Sequence, residues 1–143
     1  STLFVAPELT IGTLRQGFQW LQGLESPFHR AVYMMFLVSE VHPFLDGNGR
    51  CARLMMNAEL IAKGHSRIII PTIFRSHYLT ALKALTHNKQ AEPIIRVLDF
   101  AQNYTSRIDW SDYKKAKQML TETHAFEDSN QAELLGIRLA LPN

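Results

Sequence analysis

The chain has 143 residues, 46% of them hydrophobic and 20% charged, which is enough for one folded domain with a buried core. A net charge of +2 is too mild to suggest nucleic acid as a partner, and the single cysteine, Cys51, excludes an intrachain disulfide framework. No apolar run reaches the length of a membrane span and no signal peptide is evident, so we expect a cytoplasmic protein with neither membrane nor nucleic acid as a partner. Because the first residue is Ser1 rather than Met, we expect residues 1–143 to be a single domain cut from a longer chain.

The first residues favour an extended chain followed by a helix. Residues 1–13 are predicted to be extended, since Thr2 to Val5 are types common in strands and Pro7 breaks the run. From about Thr13 to Leu24, apolar residues recur at helical spacing. The apolar face of this helix is predicted to contain Leu14, Phe18 and Leu21.

A long apolar helix is predicted from Ser26 to Val41. Ser26 is a favoured N-cap and Pro27 a favoured first-turn residue. The following positions are apolar nearly all round, which is typical of a central, buried helix. Pro43 must end this helix, because the residue before a proline is disfavoured in the helical conformation. His42 is therefore predicted to lie where the helix gives way to a loop.

A further helix is predicted after this loop, beginning at Asn48 or Gly49 and ending near Gly64, which is well placed as its C-cap. Phe44, an apolar residue in a polar loop, is expected to insert into the core and hold the loop in place. The buried face of the helix is predicted to consist of the apolar residues that recur along it: Leu54, Met55, Ala58, Ile61 and Ala62.

The rest of the chain is predicted to be helical with little sheet. The spacing predicts a helix from Arg75 to about Leu85 and another opened by Pro93. Asp109 or Ser111 is expected to cap the next helix. A turn at residues 127–130, a short helical piece and an alternating tail complete an all-α domain.

The run from His42 to Arg53 contains the groups that a phosphate-binding site needs. The first turn of a helix carries unpaired amides and the positive end of the helix dipole, and glycines let an anion approach the backbone closely. Arg50 and Arg53 share a face of that turn, where two cations are unfavourable for the helix unless an anion binds. Asp46 suits Mg²⁺ held mainly by substrate phosphates and water, and His42 suits a proton acceptor. Taken singly, these residues have plainer interpretations: a helix-end histidine, a turn and a solvated arginine face.

Taken together, the same run resembles a known family motif. At every specified position it matches His-Pro-Phe-x-(Asp/Glu)-Gly-Asn-Gly-Arg-x-x-Arg, the motif of the Fic (Fic/Doc) family. The resemblance extends from about Phe4 to about Pro142. It implies an all-α, Fic-type helical bundle with a short β-hairpin flap remnant near the N-terminus, the preceding helices and the near strand of the flap being absent from the sequence.

The resemblance also implies a protein adenylyltransferase, which transfers AMP from Mg²⁺ and ATP to a Ser, Thr or Tyr hydroxyl of a target protein and releases pyrophosphate. By this likeness His42 is the general base and Asp46 the magnesium ligand. By the same likeness, the anion hole around the phosphates is lined by Gly47, Asn48 and Gly49. The β- and γ-phosphates are neutralised by Arg50 and Arg53. The Doc branch, which phosphorylates its target, has Lys at the position of Gly49, so glycine here favours AMP transfer.

Three further residues are candidates through the resemblance alone. In the family, the segment around Tyr78, Leu79 and Leu82 borders the adenosine pocket, although core packing is an equal explanation for the leucines. An inhibitory motif of the family is matched only loosely, by Ser129–Glu133 and by Thr123–Glu127. Inhibition is therefore expected from an N-terminal segment outside the sequence or from a separate antitoxin-like partner.

Two other kinds of function stay open at this stage. One keeps an enzyme but changes its reaction, either to removal of AMP from a modified protein or to transfer from another nucleotide or a phosphocholine donor. The other is a catalytically silent domain that binds nucleotide or a partner. The motif favours AMP transfer over both.

Overall fold

The structure, a computed structural model, describes residues 2–143 and confirms the all-α prediction there. No strand occurs among these residues, and none of their helices is long and apolar enough to cross a membrane. The described chain contains two short 3₁₀ turns, at Pro7–Leu9 and Thr72–Phe74, and seven α-helices. In chain order these are α1 (Thr10–Leu21), α2 (Pro27–Val41), α3 (Asn48–Ile61), α4 (Arg75–Asn88), α5 (Glu92–Ser106), α6 (Tyr113–Glu122) and α7 (Ser129–Leu135).

Residues 2–6 form neither helix nor strand, and the predicted extended segment is wrong from Pro7 onward, where the chain is helical. The backbone groups of a strand must bond to a neighbouring strand, and residues 2–143 provide none. The expected β-hairpin flap remnant is therefore not present in this part of the chain. The turn at Pro7–Leu9 leads directly into α1, which begins at Thr10 instead of Thr13, because the fixed φ of proline favours a helical start.

The backbone packs into two compact units, one ending at His65 and the other running from Ser66 to Asn143. Helices α1 to α3 belong to the first unit, and α4 to α7 belong to the second. The interpretation of residues 1–143 as a single domain stays a prediction.

In the first unit α2 is the central helix, as predicted, and it packs against both α1 and α3. Ser26 caps it by accepting a hydrogen bond from the His29 amide at 3.4 Å. At the contact with α1, a Cβ added to Gly17 would overlap Leu37 Cδ1, so glycine permits the close approach. The buried side chains of α2 are Ala31, Met34, Met35, Leu37, Val38 and Val41.

A partly buried arginine links the three helices of this unit. Arg30, on α2, donates from Nε to Glu59 Oε2 on α3 at 2.9 Å. Its Nη1 donates to the carbonyl oxygens of Leu21 and Leu24, at 2.9 and 3.1 Å, where α1 ends. The guanidinium therefore fixes the end of α1 against the other two helices.

The buried face of α3 is not the predicted one. Leu54 and Ile61 are 72% and 58% exposed, whereas Ala52, Met56 and Leu60 are fully buried. These three residues are four positions apart and line one helical stripe. The predicted end of the helix is confirmed: Gly64 has φ +71° and donates to the Ile61 carbonyl, while the His65 amide donates to the Leu60 carbonyl. This pair of bonds is a Schellman motif.

The second unit has its own core, with Tyr104, Ile108, Ala116 and Ala125 in one cluster. The Tyr104 hydroxyl lies 2.5 Å from Thr123 Oγ1, which satisfies both buried groups. The predicted helix from Arg75 is present as α4, and Pro93 lies in the first turn of α5, as predicted.

Two predicted helix starts in the second unit are wrong. The N-cap of α6 is Asp112, whose carboxylate accepts from the Lys115 amide at 3.0 Å. Asp109 instead binds the amide and hydroxyl of Ser111 in the preceding turn. The segment 127–130 is not a simple turn either, because Asp128 caps α7 by accepting from the amides of residues 130 and 131.

Candidate active site

His42 ends α2 in a left-handed backbone conformation, with φ 52° and ψ 56°. Its amide still donates to the Val38 carbonyl at 3.0 Å, and Pro43 then prevents further helix, as the sequence predicts. A side chain with a Cβ is strained in this region by about 1–2 kcal/mol. Strained backbone of this kind is common at functional sites, where it fixes the direction of a side chain.

An aromatic contact that the sequence did not predict covers one face of the His42 ring. The phenyl ring of Phe4 stacks on the imidazole, with ring centroids 3.7 Å apart and planes 13° from parallel. The segment before α1 is thereby attached to the end of α2, through two residues far apart in sequence. Short-range sequence patterns carry no signal for such a contact.

The loop after His42 is held by Asn48 and not, as expected, by Phe44. Phe44 is 53% exposed, so the prediction that it inserts into the core is wrong. Asn48 is 3% exposed and binds the Phe44 backbone twice: its Oδ1 accepts from the amide at 2.9 Å and its Nδ2 donates to the carbonyl at 2.6 Å. Gly47 completes the turn with φ +81°, a value that side chains disfavour.

The N-terminus of α3 is open towards solvent. No side chain caps it among the described residues, and its first turn contains no acidic residue. Because the first amides of a helix have no intrahelical acceptor, those of Asn48, Gly49 and Arg50 are available to an anion there.

Two arginines lie beside this turn, each next to one of its glycines. A Cβ at Gly47 would lie 3.6 Å from Arg50 Nη2, and a Cβ at Gly49 would lie 3.4 Å from Arg53 Nη1. The Arg50 side chain is 75% exposed, whereas Arg53 is half-buried. Both guanidinium groups thus lie close to the helix start, where their charges reinforce the positive end of the dipole.

Asp46 is the carboxylate of the site, and its side chain is 93% exposed. Oδ1 accepts from the Gly47 amide at 2.6 Å, and Oδ2 lies 3.5 Å from Arg50 Nη2. Residues 2–143 contain no group of three or more His, Cys, Asp or Glu side chains that would hold a metal by themselves. A single exposed carboxylate beside a phosphate site fits Mg²⁺, which is usually held by one or two carboxylates together with substrate phosphates and water.

The structure therefore places all seven motif candidates, from His42 to Arg53, in the first unit around one loop and one helix start. The three candidates for adenosine contacts belong to α4, in the second unit. Tyr78 is 3% exposed, Leu79 is 41% exposed and Leu82 is half-buried. Their role at the nucleotide stays a prediction.

Comparison with known proteins agrees with the motif. The model of the Fic/DOC family matches residues 1–60. The protein adenylyltransferase Fic of Drosophila persimilis is 32% identical over 132 residues, which is 87% of this chain and 26% of that protein. The protein adenylyltransferase Fic of Drosophila willistoni is 35% identical over 127 residues, which is 82% of this chain and 25% of that protein. The chain belongs to the Fic/DOC family.

Solved structures extend this relationship to the fold. Fic-1 from C. elegans matches with a TM-score of 0.62 and 27% identity, over 71% of this chain and 32% of that one. A Fic domain containing signaling protein from Bacteroides thetaiotaomicron matches with a TM-score of 0.58 and 25% identity, over 69% and 42% of the two chains. The described helices thus have the Fic fold, and the chain spans about a quarter of the length of the curated relatives it matches.

Proposed function

We propose that this Fic/DOC chain is a protein adenylyltransferase, which transfers AMP from ATP to a hydroxyl group of a target protein. The observation that carries the proposal is the open N-terminus of α3, flanked by two arginines and joined by a five-residue loop to the histidine at the end of α2. The curated relatives named above are adenylyltransferases, and they support the choice of AMP as the transferred group.

In this proposal the triphosphate binds at the start of α3. The amides of Asn48 and Gly49 donate to phosphate oxygens, and Gly47 leaves room for the anion to approach. The Asn48 side chain holds the loop, so its contribution to the anion hole is made by its backbone. Arg50 and Arg53 neutralise the β- and γ-phosphates, since guanidinium groups form strong charge-assisted bonds to phosphate.

Asp46 is the residue that would hold Mg²⁺. When bound, the cation neutralises charge on the phosphate oxygens. The carboxylate lies 3.5 Å from Arg50, and coordination of the cation by Asp46 would leave Arg50 free to bind the phosphates. Both side chains are highly exposed, so giving up their ion pair would cost little.

His42 acts on the target. Its imidazole accepts the proton of the target hydroxyl as the oxygen forms a bond to the α-phosphorus. The bond from that phosphorus to the oxygen bridging to the β-phosphate breaks, and pyrophosphate leaves. General base catalysis of this kind contributes roughly 10²- to 10⁴-fold to the rate.

The proposal includes the finer expectations from the motif. The acceptor is a Ser, Thr or Tyr side chain, and Tyr78, Leu79 and Leu82 contact the adenosine. The protein acts in the cytoplasm, and an inhibitory segment or an antitoxin-like partner inhibits it.

The reaction can be tested with ATP labelled at either the α- or the γ-phosphate, with Mg²⁺ present and self-modification as the readout. We expect label on protein from the α-phosphate alone. Label from the γ-phosphate alone would replace the proposal with phosphate transfer, and label from neither would favour a silent binding domain. Competition by unlabelled UTP, GTP or CTP identifies the preferred donor, and incubation with an AMP-modified protein tests the reverse reaction.

A further inference from the structure

We propose that Phe4 is a positioning residue for His42, a role that rests on the proposed function of His42 as the base. The two rings are 3.7 Å apart and 13° from parallel, so the phenyl group covers one whole face of the imidazole. A stacked neighbour limits rotation of the ring but leaves its edge open, and both ring nitrogens lie on that edge. Phe4 therefore restricts the direction of the proton acceptor without blocking it.

The position of His42 makes such a support necessary. It is the C-cap that follows α2, and α3 begins only after the intervening loop. The left-handed backbone fixes the direction of the Cα–Cβ bond, but it does not fix the rotation of the imidazole beyond it. The Phe4 stack supplies the missing constraint from a segment outside the motif.

The same contact stabilises the positive charge that develops on the imidazole during the reaction. An aromatic face within about 6 Å of a cation attracts it. At half-exposed sites this attraction corresponds to about two- to fivefold in a rate. Phe4 is 45% exposed, which places the pair in that range.

Phe4 lies in the irregular segment 2–6, outside every helix, and is 45% exposed instead of being part of the buried core. A substitution at this position should therefore leave the unit folded, so that effects on His42 are interpretable. Leu3, its neighbour, is 95% exposed and provides a matched control.

The first test is a spectroscopic one that needs no substrate. In proton NMR spectra, a phenyl ring stacked on the imidazole shifts the His42 Hδ2 and Hε1 signals upfield. We expect this shift in the wild type and in Phe4→Tyr, its loss in Phe4→Leu, and no change in Leu3→Ala. Equal His42 shifts in the wild type and Phe4→Leu would overturn the proposal, whether or not the protein transfers AMP.

The second test measures AMP transfer by the same four proteins. We expect Phe4→Leu to lower kcat about two- to fivefold, with the KM for ATP unchanged, because Phe4 does not contact the phosphate site. Phe4→Tyr should retain the wild-type kcat, as should Leu3→Ala. An unchanged kcat in Phe4→Leu would overturn the positioning role. Absence of transfer by the wild type, with the upfield shift present, would instead overturn the proposed function and leave the orientation of His42 by Phe4 established.

Discussion

Asn48 binds both backbone groups of Phe44, accepting from its amide at 2.9 Å and donating to its carbonyl at 2.6 Å. These two bonds close the loop that joins the base candidate His42 to the helix start at α3. The buried Asn48 side chain therefore connects the histidine half of the motif to the helix start. This role does not require the side chain to contact a ligand.

Replacement of Asn48 by alanine should open this loop. Both bonds are lost and the Phe44 backbone is left without these partners, which should lower the free energy of unfolding by about 1–3 kcal/mol. Asn48→Asp keeps the acceptor for the Phe44 amide but loses the donor and adds a negative charge beside the phosphate site. Denaturant unfolding should show a loss of stability in both variants. ATP titration should show that Asn48→Asp binds ATP more weakly than Asn48→Ala. If Asn48→Ala keeps the wild-type stability, the two hydrogen bonds from Asn48 to Phe44 do not hold the loop.

Two substitutions at His42 separate its backbone from its side chain. Glycine tolerates the left-handed conformation and alanine does not, so His42→Gly should be more stable than His42→Ala by about 1 kcal/mol. Neither variant has an imidazole, so both lose the Phe4 stack equally. Thermal unfolding of the pair measures the difference. Equal stability would mean that the φ of 52° stores no strain.

Arg30 should contribute more to stability than an arginine in an exposed ion pair. Its side chain and that of Glu59 are 19% and 20% exposed, and Arg30→Ala leaves a half-buried carboxylate and two carbonyls without their donor. We expect a loss of about 2–4 kcal/mol in the free energy of unfolding. Arg96 pairs with Glu92 on the surface of α5, where both side chains are more than 70% exposed, and Arg96→Ala should cost at most about 0.5 kcal/mol. Similar losses in the two variants would refute this ranking.

The turn before α6 should be sensitive to acid. The side-chain bond from Ser111, followed by its backbone bond, lowers the pKa of Asp109 from its ordinary value of 3.8. Because the folded pKa lies below the unfolded one, the stabilising effect is complete above pH 3.8 and is lost as the pH falls through the folded pKa. NMR titration of Ser111→Ala should show the pKa of Asp109 moving up towards 3.8, while Ser106→Ala, at the end of α5, should leave it in place. An unmoved pKa in Ser111→Ala would exclude Ser111 as the cause.

The sequence predicts where helices form better than which side they bury. Ser26 and Gly64 occupy the predicted ends of α2 and α3, because caps depend on local geometry. The buried stripe of α3 was missed because Leu54 and Ile61 have the right spacing and hydrophobicity, yet it is Ala52, Met56 and Leu60 that are buried. Tertiary packing decides between two stripes of one helix, and a local pattern does not contain that information.

The same distinction applies to the candidate site. The motif residues are close in sequence, so their meeting at one loop and one helix start could be predicted from a proline and two glycines. The exposure of Phe44 could not be predicted, because it depends on the hydrogen bonds that the Asn48 side chain makes to the Phe44 backbone. Nor could the stacking of Phe4 on His42, which joins segments separated by α1 and α2. The expected cap of α6, Asp109 or Ser111, was wrong for a similar reason: neighbouring polar residues are all suitable caps by type, and the backbone makes Asp112 the cap.

The most direct test of the central claim is the rate of AMP transfer from α-labelled ATP by the wild type, His42→Ala and His65→Ala. His65 is an exposed histidine of the same unit and serves as the matched control. The account predicts a loss of about a hundredfold or more in His42→Ala, with ATP binding retained, and no loss in His65→Ala. Full activity in His42→Ala would contradict the assignment of His42 as the base.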